Sequence, residues 1–201
     1  RYWWDFGGGT LADFGCHFMD LPYWALDLRE PISAVAKGEK IQKGDNQVPD
    51  VMQVDYQYPK RGDLDPVHLT WYCGGWKPEG ADIYGKGNAV LFEGEHGRLV
   101  ADYTTRKLFL DDDQKDAVEK KVTPIPNSIG HHREWIEAVK SGSNTTCNFD
   151  YSGALAEAVL LGNIAYRVGE PLQWNAKTLD AVGCPAAKQY IRREYRKGWS
   201  L

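Results

Sequence analysis

No apolar run in this 201-residue chain approaches the length that a membrane-spanning helix needs. Its first residues also lack the charged, apolar and small-residue regions of a secretory signal. Charge of one sign is missing too. The chain has 24 Lys and Arg against 28 Asp and Glu, a net charge of -4, and its cations are scattered. That leaves no electrostatic footprint for nucleic acid. The four cysteines, Cys16, Cys73, Cys147 and Cys184, lie far apart with no CxxC pair. This argues against a zinc site and a dense disulfide framework, and leaves room for a single bridge. No GxSxG elbow, HExxH helix, internal repeat or dividing linker occurs. Gly7-Gly8-Gly9 stands before a helical pattern, but a dinucleotide-binding turn needs a buried strand ahead of it and a βαβ unit around it. Asp5-Phe6 after two tryptophans makes a poor buried strand.

What is present is aromatic. Eight Trp and eleven Tyr sit in a composition that is 42% hydrophobic and 26% charged, ordinary for a folded domain. The length suits one domain, residues 1–201. Aromatic rings build cores, and they also offer flat platforms to ligands with an apolar face and a polar edge, as sugars have.

The first twenty residues carry the densest pattern. Thr10 with Asp13 reads as a capping box. Leu11, Phe14, Phe18, Leu21, Ala25 and Leu28 then recur at three and four, predicting one buried helix face. Asp13, His17, Asp20 and Trp24 recur in the same way as a second stripe beside it. Pro22 should kink or shorten this helix. A carboxylate one turn before an imidazole at the edge of a buried face suits chemistry, although a capping acid and a satisfied core histidine give the same spacing.

Farther along, Ile32–Ala36 reads as a short strand after Pro31, and 37–49 as a polar loop. Alternation over Val51–Tyr58 and Val67–Cys73 predicts two half-solvated strands able to pair antiparallel. Gly74–Gly87, with Trp76 and Tyr84, is a long glycine-rich loop of a kind that often carries function. Asn88–Phe92, Arg98–Tyr103 and Arg106–Leu110 read as strands, followed by the acidic turn Asp111-Asp112-Asp113. A helix capped by Ser128 should run from His131 to a stop at Gly142, and a stronger one over Gly153–Val168 should end at Gly169. Leu172–Trp174 is a short extended piece. After Pro185 a basic, aromatic tail helix should carry Tyr190, Ile191, Tyr195 and Trp199. A helix, a run of about five strands and then helices makes an α+β fold, with a largely antiparallel open sheet and helices on one face.

Three chemistries suit these residues. His17 can take a proton from a hydroxyl with Asp13 orienting it, since an imidazole's intrinsic pKa lies near neutrality. His131 and His132, at a helix start, can meet an anionic or hydroxyl-rich group, one of them at most facing any given site. A metal site would have to combine Asp13, His17 and Asp20 with one of these histidines; no metal is expected.

The segment from Gly7 to Asp20, reading GGGTLADFGCHFMD, resembles the helix that opens the C-terminal substrate domain in the Gfo/Idh/MocA family of glucose–fructose oxidoreductase and inositol dehydrogenase-like enzymes. Ser128–Gly142, Cys147–Gly169 and Tyr195–Trp199 resemble later parts of the same domain, so the likeness covers nearly the whole chain. The resemblance implies a dihydrodipicolinate-reductase-like open-sheet domain that binds substrate and mediates homo-oligomers through the sheet. It implies a bacterial protein, in the cytoplasm, or in the periplasm if an export signal precedes this chain. It also implies a Rossmann domain in cis, ahead of Arg1, that holds NAD or NADP and supplies a lysine from a Glu-Lys-Pro motif. By the same resemblance Asp13 and His17 sit over a sugar or polyol, His17 as acid–base. Without its partner domain the chain would not turn substrate over. Trp3, Trp4, Trp76, Asp20, His131 and His132 are further substrate-side candidates, with Trp4 equally suited to anchoring a core or interface. A non-catalytic carbohydrate-binding or assembly module, a glycosidase working through transient oxidation, and more remotely a metal-dependent sugar isomerase or hydrolase are the alternatives.

Overall fold

A computed structural model describes residues 1–81, 85, 87–111 and 125–199. Tyr84 and the Asp112-Asp113 part of the acidic turn lie outside the described residues. The elements in chain order are α1 (Gly9–Phe18), α2 (Asp20–Ala25), β1 (Ser33–Glu39), β2 (Val51–Tyr58), β3 (Val67–Cys73), β4 (Val90–Gly94), β5 (Gly97–Ala101), β6 (Arg106–Leu110), α3 (His131–Ser141), α4 (Phe149–Val168), β7 (Leu172–Asn175), β8 (Asp180–Val182) and α5 (Lys188–Ile191). They form an α/β domain with two open antiparallel sheets. Two compact units divide the chain, Arg1–Ala81 with Gly153–Leu201, and Asp82–Ser152.

The larger unit holds a five-stranded sheet in the order β3-β2-β1-β7-β8. As the alternation predicts, β2 and β3 pair antiparallel, Val54 opposite Trp71 and Tyr56 opposite Leu69. Met52, Val54, Tyr56 and Tyr58 are buried, while Gln53 and Asp55 are half-buried and Gln57 is exposed. The extended piece after α4 is β7, which pairs with β1 on the side opposite β2 (Ala34 with Leu172). The sheet centre is thus built from strands more than 130 residues apart, a long-range pairing that local pattern does not reveal.

Helix α4 lies on the face of the sheet that carries Tyr56. It is buried nearly all round, by Leu155, Ala158, Val159, Leu161, Gly162, Ile164 and Ala165, because it is covered on two sides. At Gly162 a Cβ would run into the Tyr56 hydroxyl on one side and come within 2.8 Å of Leu11 Cδ2 of α1 on the other. At Gly15 of α1 a Cβ would come within 2.8 Å of Val159 Cγ2. Small residues let α1, α4 and the sheet close up at this point, α1 also lying against β3.

That packing corrects the reading of α1. The buried residues are Leu11, Gly15, Met19, Pro22 and Tyr23, whereas Phe14 is 37% exposed and Phe18 and Leu21 are only half-buried. The helix turns its glycine, not its phenylalanines, towards α4, since only the small side allows the close approach. The capping box is absent as well. Gly8 is the N-cap with no side-chain bond, Thr10 pairs its hydroxyl with that of Tyr2 at 3.2 Å, and Asp13 pairs with Arg1. The expected single helix is broken at Met19, and Pro22 sits in the first turn of α2, where its missing amide costs least.

Other boundaries also moved. The tail helix α5 ends at Ile191, and Arg192 continues in extended conformation. A longer helix would bring Arg192 and Arg196, and Arg193 and Lys197, into repelling i,i+4 pairs. Tyr195 and Trp199 therefore lie beyond it. The β7–β8 hairpin, with Leu179 at φ 49, was not foreseen.

The smaller unit is a β4-β5-β6 meander with α3. Strand β4 runs on to Gly94, because Glu95-His96 form a two-residue turn between the paired Gly94 and Gly97. Helix α3 is capped by Gly130 rather than Ser128, whose hydroxyl instead accepts the Gly130 amide at 3.0 Å, and Gly142 ends it in the left-handed region, as expected. Helix α4 starts four residues early, at Phe149, with the Asn148 side chain accepting the Tyr151 amide at 3.1 Å. No disulfide joins any of the four cysteines.

The Gly162→Ala substitution should cost roughly 1–3 kcal/mol through overpacking. Gly153→Ala, on the same helix with open space around it, should gain roughly 0.5–1 kcal/mol. Chemical denaturation of the two variants checks this, and equal effects would refute the close packing of Gly162 against Tyr56 and Leu11.

Candidate functional site

The turn that leads into α1 is fixed by its own backbone. The Trp3 carbonyl accepts the amides of Phe6 and Gly7, both at 2.9 Å, and the Arg1 carbonyl accepts the Gly9 amide at 2.9 Å. Gly9 sits at φ 68 against Val48, and a Cβ on Gly8 would press into the side chain of Asn163, the one buried polar side chain among the described residues. Asn163 donates to the Gly8 carbonyl at 3.1 Å and so ties this turn to α4. The three glycines thus serve close packing. Their amides at Gly7 and Gly9 are already bonded, and no strand leads into them. The described residues here do not fit a dinucleotide pyrophosphate.

Asp13 and His17 lie on the far side of α1. Each stands two residues from buried neighbours, Leu11 and Gly15 or Gly15 and Met19, which is about 200° of rotation on a helix. The second stripe is therefore opposite the buried face rather than beside it. His17 is exposed, with its ring 5.5 Å from that of Phe14 at an interplanar angle of 46°. Phe14 stacks in turn on Phe18 at 6.3 Å. The Arg1 guanidinium lies against the Asp13 carboxylate and 5.9 Å from the centre of the Phe14 ring. Asp20 opens α2 and Trp24 follows one turn later, 61% exposed. With Trp3 at 43% and Phe6 at 87%, a rim of open aromatic side chains accompanies this stripe. It has an exposed imidazole, guanidinium, Asp20 carboxylate and ring faces, with the Asp13 carboxylate half-buried beside them, the groups that binding and deprotonating a hydroxyl-rich molecule requires.

Trp4 and Trp76 make their contacts elsewhere in the larger unit. Trp4 is half-buried, its ring 6.3 Å from Tyr166, with the Arg167 guanidinium 4.8 Å above it and 4.0 Å from the Tyr190 ring centre. Trp76 follows β3 beside Lys37, whose ammonium is 5.9 Å from its ring. A Cβ at Gly38 would meet Tyr166 of α4 at 3.1 Å, so its neighbour Lys37 points to the face of the sheet without helices. The structure thus does not bring Trp76 together with His17. His131 and His132 are the first residues of α3 in the smaller unit, their rings 4.0 Å apart. Among the described residues no group of three or more His, Cys, Asp or Glu side chains is arranged to hold a metal ion.

One polar cluster went unseen in the sequence because its members come from four elements. The hydroxyls of Tyr23 in α2 and Tyr58 in β2 are 2.6 Å apart, and the Trp174 indole of β7 donates to Glu157 of α4 at 2.6 Å. Burial pushes the Tyr58 hydroxyl far up, helped by the neighbouring Tyr23. Burial also raises the Glu157 carboxyl, against the Trp174 bond, which lowers it.

Residues 1–201 match the family model described as "Oxidoreductase family, C-terminal alpha/beta domain". No curated protein is matched.

Glu157 makes stability depend on pH. A carboxyl raised on folding binds its proton more tightly in the folded chain, so its contribution is fully present below the ordinary carboxylate range and is lost as pH rises through the raised value. Between acid and neutral pH the wild type should therefore lose stability relative to Glu157→Gln. Parallel pH profiles from denaturation would exclude this role.

Proposed function

The chain belongs to the Gfo/Idh/MocA oxidoreductase family as its C-terminal domain, and on that premise we propose that it is the substrate-side half of an NAD(P)-dependent enzyme oxidising a hydroxyl of a sugar or polyol. The observation that carries this reading is the face of α1 that exposes His17 and Phe14 beside the half-buried Asp13, turned away from the core of its own unit. A side chain placed there for packing would face α4 instead.

In this reading His17 accepts the proton of the substrate hydroxyl as the carbinol carbon becomes a carbonyl, and later passes it to solvent. A nicotinamide held by a Rossmann domain in cis supplies the hydride acceptor when bound; the glycine turn of this chain offers no place for its pyrophosphate. Asp13, neutralised by Arg1, fixes the guanidinium beside the site, where it and Asp20 can bond substrate hydroxyls. Phe14, Trp3 and Trp24 offer ring faces to the carbon skeleton. Burying them under the partner domain would also remove the exposed apolar rim and exclude water from the reaction. Trp4 serves as an anchor that holds the entry turn through Tyr166 and Arg167. Homo-oligomers would form through the open face of the five-stranded sheet.

The assay is nicotinamide reduction by the full protein over a panel of sugars and polyols. His17→Ala should lower kcat by about 10²–10⁴-fold and remove the acid limb of the pH profile, with circular dichroism unchanged. Asp13→Asn should cost less. Wild-type turnover in His17→Ala would rule out the acid–base role and leave the domain assignment standing.

A further inference from the structure

The β7–β8 hairpin and α5 border a depression of about 250 Å³ at the β8 edge of the five-stranded sheet. Thr178, Leu179 and Asp180 of the hairpin line one side, and Lys188, Ile191 and Arg192 the other. Both walls are fixed. The Asn175 side-chain carbonyl accepts the Lys177 amide at 3.1 Å and the Thr178 amide at 3.4 Å, which sets the turn. The Cys184 thiol donates to Glu170 Oε1 at 3.1 Å, and the Arg167 guanidinium lies 4.0 Å from the ring centre of Tyr190 in α5. Arg167 belongs to α4 and Glu170 follows it, so α5 is held against the end of that helix. The depression is therefore at an edge of the sheet and not on its helix-free face. Helix α1 lies against β3, at the opposite edge.

The cations of this lining lack partners. Among the described residues neither Lys188 nor Arg192 forms an ion pair, and Asp180 pairs with neither of them. A helix of one turn has little macrodipole for them to complement. An anion between them would relieve their mutual repulsion and accept charge-assisted bonds from both. Leu179 is held at φ 49, a left-handed conformation that costs a leucine energy, with its side chain 46% exposed. The fold gains little burial in return. Leu179 and the half-buried Ile191 instead give the depression an apolar flank.

These groups select the ligand. A phosphate monoester carries about two negative charges at neutral pH, which matches an ammonium and a guanidinium together, whereas a carboxylate matches only one of them. Asp180 repels a bare dianion but accepts protons from hydroxyls, and the Thr178 hydroxyl stands beside it. The part of the ligand beyond the phosphate therefore carries hydroxyls. The volume suits a phosphate with a few carbons and lies below that of drug-sized pockets.

We propose that this depression binds small hydroxylated monophosphates, with Lys188 and Arg192 on the phosphate and Asp180 on a hydroxyl. It does not rest on the oxidoreductase reading.

Calorimetric titration of the full protein with glycerol 3-phosphate and with inorganic phosphate tests it. Glycerol 3-phosphate should bind saturably in the millimolar range, about fivefold more tightly than inorganic phosphate, the scale of one net hydrogen bond. A Lys188→Gln, Arg192→Gln double variant should weaken it by about tenfold, the scale of two exposed charge pairs. Asp180→Ala should bring the two ligands to equal affinity. Arg193→Gln, which removes a neighbouring cation outside the lining, and His17→Ala should both leave binding in place. All five substituted side chains are exposed, so the variants keep the fold, which circular dichroism checks. No saturable binding of glycerol 3-phosphate would overturn the proposal, as would equal binding of inorganic phosphate by the wild type. Binding indifferent to the Lys188, Arg192 pair, or weakened as much by Arg193→Gln, would overturn it too. So would binding lost in His17→Ala alone. Because the readout is binding, it is independent of whether the protein oxidises any sugar.

Discussion

The close approach of α4, α1 and the sheet at Gly162 governs this structure. A helix can lie that near both a sheet tyrosine and a neighbouring helix only where it has no side chain. Once α4 occupies that position, Gly15 is the residue of α1 that can face it, since the space against Val159 admits nothing larger. The orientation of α1 then follows, and with it the exposure of His17. The face that carries Asp13 and His17 is thereby placed by a packing constraint several residues away.

The same constraint explains where sequence reading succeeded and where it failed. Alternation in Val51–Tyr58 was legible because one face of β2 is solvated, so polarity reports burial residue by residue. The stripe on α1 was misread because hydrophobicity was taken as burial. Phe14 and Phe18 are the largest apolar residues there, yet the interior selected Gly15 for size. The candidate pair stayed together for a related reason. Asp13 and His17 are spaced to share a face whichever way the helix turns, so a mistaken rotation moved them from the edge of the core to the open side without separating them. Trp76 could not be placed from sequence. Its side of the sheet depends on the parity of Lys37 relative to Gly38, and hence on what packs against Gly38. The Tyr23–Tyr58 and Glu157–Trp174 bonds join residues 35 and 17 positions apart, and no local spacing encodes them.

The glycine-rich entry shows how one motif admits two physical explanations. Consecutive glycines before a helix suit a phosphate, because bare amides and a helix N-terminus both attract anions. Here the amides of Gly7 and Gly9 are bonded to carbonyls of the preceding turn, and the missing side chains make room for Val48 and Asn163. Steric need accounts for the glycines, and an anion would have to break existing bonds to enter.

An open aromatic rim on a folded domain calls for a cover. Phe6 at 87% exposed and Trp24 at 61% would each gain roughly 1.5–3 kcal/mol if fully buried, so leaving them in water forgoes considerable stability. The polar groups among them, His17, Asp13, Arg1 and Asp20, would be costly to bury unless each found a partner. A cover made only of apolar side chains would strand those charges, and a purely polar one would leave the rings unsatisfied. A surface that supplies apolar contact around its margin and leaves a hydroxyl-bearing molecule at the centre meets both demands. A second domain closing over a bound sugar has that composition, and it would make closure depend on the substrate being present.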